Sequence, residues 1–326
     1  MKRMHAACSA RMMGVGMAVV LGGDPSRGED TREWPPGFPA NVSIQVLDEE
    51  GAPLTNAPVR FVWRADQQEV VQSDGQGIAF SKGVSEHGDV GIASQPDGFY
   101  ASEQTVWVNG YRENDLEYRQ FLDFNDTITV KRIRQPARMY VKNVRTTIPA
   151  EGEPVGYDLQ IGDWVAPFGI GLRGDILFTL RREVRSPKDY RAELSVSFPR
   201  PEDGIVLVPE GSRMSQLESD YEAPEDGYTS RWTIVSSRSP DEAAGGIPSI
   251  SNAYFRVRTE LDETGALRNA WYGKMYGAVR MGLPYLNQVD VLFNYYVNPD
   301  GSRRVEFDPS RNIFDAHEST SEVFRP

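Results

Sequence analysis

The chain has 326 residues, of which 25% are charged and 10% aromatic, and its formal net charge at pH 7 is −12. This length suits about two domains of roughly 100–200 residues each. An acidic surface repels phosphate groups, so the composition argues against nucleic-acid binding and disfavours anionic membrane surfaces.

The first 23 residues differ in character from the rest of the chain. A basic stretch without acids, MKRMHAACSAR, precedes a short apolar run, MMGVGMAVVLGG, which ends in two small residues. This order is typical of a secretory signal peptide, and the run is too short to span a bilayer, which takes about 20 residues. We therefore predict a signal peptide over 1–23, no membrane span, and a secreted or periplasmic location. A polar, proline-bearing linker follows over 24–38.

Cys8 is the only cysteine, and it lies within the predicted signal peptide. The mature chain would then lack disulfides, thiolate nucleophiles and cysteine-based metal sites. His87 and His317 stand alone in the mature sequence, so we predict no metal site and no cofactor. One alternative stays open, a structural calcium ion. Acidic segments with the oxygen ligands that calcium prefers lie at 113–126, 201–204 and 224–227.

Strand patterns begin at Asn41 and continue along most of the chain. Apolar and polar residues alternate with a period of two, as in VSIQV (42–46) and VRFVW (59–63). Turn-forming segments separate further short apolar runs, and the best helix candidate, 212–223, could equally be a loop. We predict an all-β fold of two antiparallel β-sandwich domains. They are an Ig-like sandwich over 39–136 and a larger sandwich over 137–316, and a polar tail follows over 317–326.

The segment 289–309 is predicted to form a hairpin at the end of the second sandwich. One face of its first strand carries apolar residues at every second position, Val289, Val291, Phe293, Tyr295 and Val297. An NPDG turn follows, and Val305 and Phe307 can return on the same face. This arrangement places Glu306 and Asp308 on the solvated outer face, where we expect both carboxylates to be dispensable.

Three motifs follow one another within residues 40–135. They are G-x-P-x-x-x-A-x-V from Gly51 to Val59, a S-D-x-x-G turn from Ser73 to Gly77, and DGFY (97–100). In these motifs the chain resembles bacterial Ig-like and carboxypeptidase-regulatory-like β-sandwich modules. The resemblance implies a non-catalytic module of secreted or surface proteins. The remainder resembles a secreted bacterial domain of unknown function through its ending, FNYYVNPDGSRRVEFDP.

Nucleophile and phosphate-binding motifs are absent from the sequence. There is no G-x-S-x-G and no phosphate loop, and GIGLRG (169–174) has glycines at some dinucleotide offsets but no helix behind it. Glycoside hydrolysis needs only two carboxylates about 5–10 Å apart. Candidates near the aromatic residues Trp164 and Phe168 are Asp158, Asp163 and Glu183.

Aromatic residues of the second half could instead form an exposed platform for a ligand. The candidates are Trp164, Trp232, Trp271 and Tyr272, although the same side chains would suit a sandwich core. We interpret the chain as a secreted non-catalytic component of the surface, periplasm or matrix that acts through binding. Its partner would be a polysaccharide or another surface protein, and the alternative is a carbohydrate-active module, either a lectin-like binder or a glycosidase.

Overall fold

The structure is a computed structural model that describes residues 37–108, 121–208, 214–239, 252–277, 279–314 and 325–326. All regular elements of these residues are β-strands, 19 in number, which confirms the predicted all-β class. None of the described segments contains a helix long and apolar enough to cross a membrane. The predicted signal peptide, the linker as far as residue 36, and the tail except for its last two residues lie outside the described residues.

Seven strands form the described N-terminal part, in two sheets. They are β1 Phe38–Asp48, β2 Pro58–Arg64, β3 Gln67–Gln72, β4 Ile78–Ser85, β5 Asp89–Ser94, β6 Ser102–Trp107 and β7 Leu122–Val130. One sheet has the order β4-β1-β7 and the other the order β3-β2-β5-β6. The pairing of β1 with β7 is parallel, and the remaining pairings of these sheets are antiparallel.

Alternation along β1 and β2 explains why the two sheets stack. Val42, Ile44 and Val46 of β1 are fully buried, and so are Val59 and Phe61 of β2. All five belong to one hydrophobic cluster that draws on both sheets, so this part of the chain is a β-sandwich. Its membership of the Ig-like or carboxypeptidase-regulatory-like class stays a prediction.

Twelve strands form the described C-terminal part. They are β8 Ala137–Thr147, β9 Val155–Asp158, β10 Asp163–Trp164, β11 Ile176–Ser186, β12 Asp189–Ser197, β13 Gly204–Val208, β14 Arg231–Arg238, β15 Asn252–Leu261, β16 Leu267–Met275, β17 Arg280–Met281, β18 Asp290–Asn298 and β19 Phe307–Asn312. A five-stranded sheet has the order β10-β9-β11-β12-β14. A seven-stranded sheet has the order β13-β15-β16-β18-β8-β19, with β17 paired to β18.

The seven-stranded sheet is buried on both faces. Phe255 and Phe293 on one face share a core with Phe178 of the five-stranded sheet. Tyr296 and Phe307 belong to a separate cluster. Residues outside the strands join that second cluster, among them Ala223, Tyr228 and Val305. The helix candidate at 212–223 is described from residue 214 and contains no helix there; it contributes to this covering layer.

The predicted hairpin over 289–309 does not form. Strands β18 and β19 both pair with β8, the first antiparallel and the second parallel, so β8 lies between them. The apolar face of β18 is buried as predicted, but Val305 and Phe307 belong to the other cluster. The sequence of β18 specifies which face is buried, whereas the choice of a pairing partner depends on β8, about 150 residues earlier in the chain.

Glu306 is buried, which contradicts the predicted solvated position. Its carboxylate accepts hydrogen bonds from the Tyr100 hydroxyl (2.8 Å), the Arg134 N–H (2.8 Å) and the Gln135 N–H (2.7 Å). Residues 134 and 135 lie outside the strands, so their N–H groups have no strand partner, and a carboxylate is a strong acceptor for both. Residues 37–326 form one compact unit, so the division at 136/137 into two domains stays a prediction.

Candidate functional site

The four aromatic residues of the predicted platform are dispersed. Trp164 is buried and donates from Nε1 to the Thr146 hydroxyl, and Tyr272 is buried in the covering cluster. Trp232 and Trp271 are only partly buried against the main core. No ring contact within the described residues joins any two of the four. Trp164 and Tyr272 therefore offer no surface to a ligand, and a binding role for Trp232 and Trp271 stays a prediction.

The candidate glycosidase carboxylates are engaged with backbone groups. Asp158 accepts a hydrogen bond from the Leu172 N–H at 2.9 Å, and Asp163 accepts one from the Ile170 N–H at 2.9 Å. Glu183 lies exposed on β11. Two of the three acids therefore shape the loop that follows β10.

Arg258 is a largely buried cation, with 12% of its side chain exposed, held in an uncommon backbone conformation with φ of 56°. Its guanidinium donates from Nε and Nη2 to the two oxygens of Asp175, both at 2.8 Å, and from Nη2 to Asp158 at 3.2 Å. Burial works to lower the pKa of Arg258, but the hydrogen bond and charge of Asp175 and the charge of Asp158 outweigh it and raise the pKa above its ordinary value. The side chain therefore stays charged inside the protein.

An aromatic row extends from Arg258 to the edge of the seven-stranded sheet. The guanidinium lies 4.1 Å from the centre of the Trp271 ring. Trp271 stacks on Tyr140 with centroids 6.0 Å apart at 15°, and Tyr140 meets Phe314 edge to face at 5.2 Å. All three rings are half-buried, so they are fixed by their neighbours while part of each remains accessible. We call Trp271, Tyr140 and Phe314 the aromatic row.

A surface groove of about 570 Å³ begins at the aromatic row. Tyr140 lines it together with three arginines and one acid, Arg138, Arg304, Arg311 and Asp300. Arg304 pairs with Asp300 at 2.6 Å. The side chains of Arg138 and Arg311 have neither an ion pair nor a hydrogen bond with any residue that the structure describes. This arginine groove is therefore locally basic, although the whole chain carries a formal charge of −12.

A buried lysine forms a second notable cluster, on the other face of the sheet. Lys274 donates from Nζ to the Ser219 hydroxyl at 3.0 Å and to the Tyr276 hydroxyl at 2.7 Å. A cavity of about 160 Å³ adjoins all three side chains. Burial holds the pKa of Lys274 well below its ordinary range, and the nearby charge of Lys131 lowers it further. The amine is therefore poised to lose its proton more readily than a surface lysine.

Sequence reasoning missed both the arginine groove and the lysine cluster. The groove combines residues of β8 and β19, and no sequence pattern indicates that these two strands pair. Lys274 carried a usable signal, because it lies in a strand between Gly273 and Met275 and a charged residue there would normally face solvent. The burial of both faces of the sheet was the missing information.

Metal ligands are not gathered in the part of the chain that the structure describes. Among those residues, no group of three or more His, Cys, Asp or Glu side chains is placed to hold an ion. Of the calcium candidates, 201–204 and 224–227 are described, whereas 113–126 is described only from residue 121. His317 lies outside the described residues.

Comparisons with known proteins give distant structural likenesses only. No family model matches the chain, and no curated protein matches its sequence. A candidate carbohydrate-binding protein from Bacteroides uniformis is 11% identical, with 79% of this chain and 99% of that one covered and a TM-score of 0.22. BcpA, the major pilin subunit of Bacillus cereus, is 11% identical over 78% of this chain and 95% of that one, with a TM-score of 0.23. A DUF3823 family protein from Bacteroides ovatus is 9% identical over 74% and 97%, with a TM-score of 0.22.

Proposed function

We propose that the chain is a secreted, non-catalytic β-sandwich protein that binds an acidic polysaccharide in the arginine groove. The observation that carries this proposal is the pair of guanidinium groups, Arg138 and Arg311, which have no ion pair or hydrogen bond among the described residues and lie beside the half-buried ring of Tyr140. Export is supported by the signal-peptide pattern of residues 1–23.

The chemistry of the groove suits a sugar that carries carboxylates. A guanidinium presents planar N–H groups that match a carboxylate in a two-point hydrogen bond, and it keeps its charge at any physiological pH. The ring of Tyr140 adds an apolar surface with a polar tip, which suits the C–H face of a sugar. The groove volume of about 570 Å³ falls within the range of about 300–1,000 Å³ that is usual for ligand sites.

The neighbouring contacts would hold these groups ready for a ligand. Arg304 is fixed by Asp300 and also donates to the Ser302 hydroxyl at 3.0 Å. Tyr140 is held by its ring contacts with Trp271 and Phe314, and Trp271 in turn lies against the Arg258 guanidinium. Arg304 and Tyr140 are thus ordered before binding and lose less side-chain entropy when a ligand arrives.

Isothermal titration calorimetry with polygalacturonate, a polymer of sugar acids, tests the proposal, and neutral dextran is the matched control ligand. We expect polygalacturonate to bind and dextran to remain inert. Raising the ionic strength from about 0.01 M to about 0.15 M shortens the screening length from about 30 Å to about 8 Å and should weaken the binding. Equal binding of both polymers would contradict a charge-based site.

Two arginine substitutions test whether the groove is the binding surface. Arg138→Ala and Arg311→Ala should each weaken polygalacturonate binding by about tenfold, which corresponds to about 1.4 kcal/mol. Arg181→Ala removes an exposed arginine of β11, in the other sheet, and should leave the affinity unchanged. If the Arg138→Ala/Arg311→Ala double variant binds like the wild type, the groove is not the site.

A further inference from the structure

The loop at 165–174 presents large apolar side chains to solvent at every second position. Phe168 is 42% exposed, Ile170 75% and Leu172 84%. Exposed apolar residues are ordinary when scattered singly, but three on one short loop mark an interaction surface. We call residues 165–174 the apolar loop.

Glycines on the alternate positions fix this outward arrangement. A Cβ atom added to Gly169 would lie 2.5 Å from the Trp164 carbonyl oxygen, and one added to Gly171 would lie 2.8 Å from the Asp163 carbonyl oxygen. No side chain fits at either position, so the backbone packs directly against β10. The intervening apolar side chains can only point away from the protein.

The backbone of the apolar loop is hydrogen-bonded within the protein. The N–H groups of residues 168 and 171 donate to carbonyl oxygens. Those of residues 170, 172 and 173 donate to the carboxylates of Asp163 and Asp158. Polar backbone groups without partners make entry into an apolar medium costly, and here the N–H groups of residues 168 and 170–173 already have partners.

The charge of the apolar loop also differs from that of the chain as a whole. Asp158 and Asp175 are buried at its base and paired with Arg258, so neither presents a negative charge outward. Arg173 is the exposed charge of the loop, and its Nε lies 4.0 Å from Asp175, the limit of an ion pair. An outward cation beside apolar side chains complements a phosphate headgroup above acyl chains.

We infer that the apolar loop inserts into the interface of a lipid bilayer and anchors the protein peripherally. Phe168, Ile170 and Leu172 enter the acyl boundary, and Arg173 stays at the level of the lipid phosphates. The loop shares no residue with the arginine groove, so lipid binding and polysaccharide binding can succeed or fail separately.

Co-sedimentation of the full chain with phosphatidylcholine vesicles tests the inference, and the zwitterionic lipid avoids repulsion of the acidic protein. We expect the wild type to sediment with vesicles and the double variant I170S/L172S to lose at least about tenfold in partitioning. The matched control L261S/L267S removes two leucines that are 41% and 46% exposed on another hairpin, and it should bind as the wild type does. Thermal melts show whether both variants are folded.

A second measurement reports insertion directly. The fluorescence of Leu172→Trp, recorded against the wild type, should shift to shorter wavelength when vesicles are added. Failure of the wild type to sediment, or equal sedimentation of I170S/L172S, would overturn the inference. So would a self-association of the wild type in the absence of lipid that I170S/L172S abolishes, because the loop would then bind a second copy of the chain.

Discussion

Two cations of the C-terminal part, the largely buried Arg258 and the fully buried Lys274, have surroundings that shift their pKa values in opposite directions. Arg258 lies between Asp158 and Asp175 and keeps its proton, with its pKa raised. Lys274 is more deeply buried and donates only to the hydroxyls of Ser219 and Tyr276 among the described residues, and its pKa is lowered.

The difference shows that burial alone does not decide the charge of a side chain. Desolvation acts on both cations in the same direction, since it always disfavours the charged form. Arg258 has anions within hydrogen-bonding distance that compensate for the lost water, whereas Lys274 has neutral oxygens that compensate only in part. Glu306 is a buried acid that is held without a cation at hydrogen-bonding distance among the described residues, since its hydrogen-bond partners are a hydroxyl and two backbone N–H groups.

The largest effect is expected from Arg258→Met. This substitution leaves two buried carboxylates without their cation and should lower the free energy of unfolding by about 3–5 kcal/mol. Urea denaturation at pH 7 measures the change. The control Arg185→Met breaks an exposed pair with Asp189 and should cost no more than about 1 kcal/mol. If the two variants lose equal stability, the ion pairs of Arg258 contribute no more to the free energy of unfolding than an exposed pair does.

A smaller loss is expected from Glu306→Gln. The amide keeps one acceptor oxygen but directs an NH₂ group at an N–H donor, so one charge-assisted hydrogen bond is lost, at a cost of about 1.5–3 kcal/mol. Asp308→Asn, two residues further on, should change stability by at most about 0.5 kcal/mol, because among the described residues Asp308 accepts hydrogen bonds only from Ser310, in its own turn. Equal effects in thermal melts would restore the view of Glu306 as a solvated acid.

Lys274→Met should have the smallest effect and the opposite sign. Between the lowered pKa of the native state and the ordinary lysine pKa of about 10.4, the unfolded chain binds a proton that the native chain does not. Wild-type stability should therefore rise with pH through this window, and the variant should lack that rise. The variant is expected to be the more stable protein at pH 7, with an advantage that shrinks by pH 9.5.

Melting curves from pH 7 to 9.5 make this comparison. Above about pH 10 the slope should reverse, since burial raises the pKa of Tyr276 and of Tyr100 and the unfolded chain loses those protons first. A wild type whose stability is flat across the window would mean that Lys274 stays charged in the folded protein.

Local alternation was sufficient to predict the buried faces of β1 and β18. Val42, Ile44 and Val46 on β1, like Phe293 and Tyr295 on β18, lie in the core as the period of two requires. Pairing partners were not predictable in the same way. An NPDG turn between two apolar runs indicates a hairpin, yet β8 separates them, since long-range pairing depends on residues that no local pattern includes.

The site depended on the same long-range information. The sequence identified Trp271, and Arg258 lies on β15, the strand just before it, but Tyr140 comes from β8, about 130 residues earlier in the chain. In the sequence the apolar loop contains GIGLRG, which resembles part of a dinucleotide-binding motif. Its regular alternation of glycine with larger residues was a signal for a packed backbone with outward side chains.

The parallel pairing of β1 with β7 has a mechanical consequence. Tension along the chain enters β1 at Phe38 and leaves β7 at Val130, which are opposite ends of two adjacent parallel strands. The force then shears the pair, and the evenly spaced hydrogen bonds along nine aligned residue pairs share the load. An antiparallel hairpin pulled from its two open ends would instead separate one hydrogen bond at a time. The parallel pair should therefore need a larger force to separate than such a hairpin.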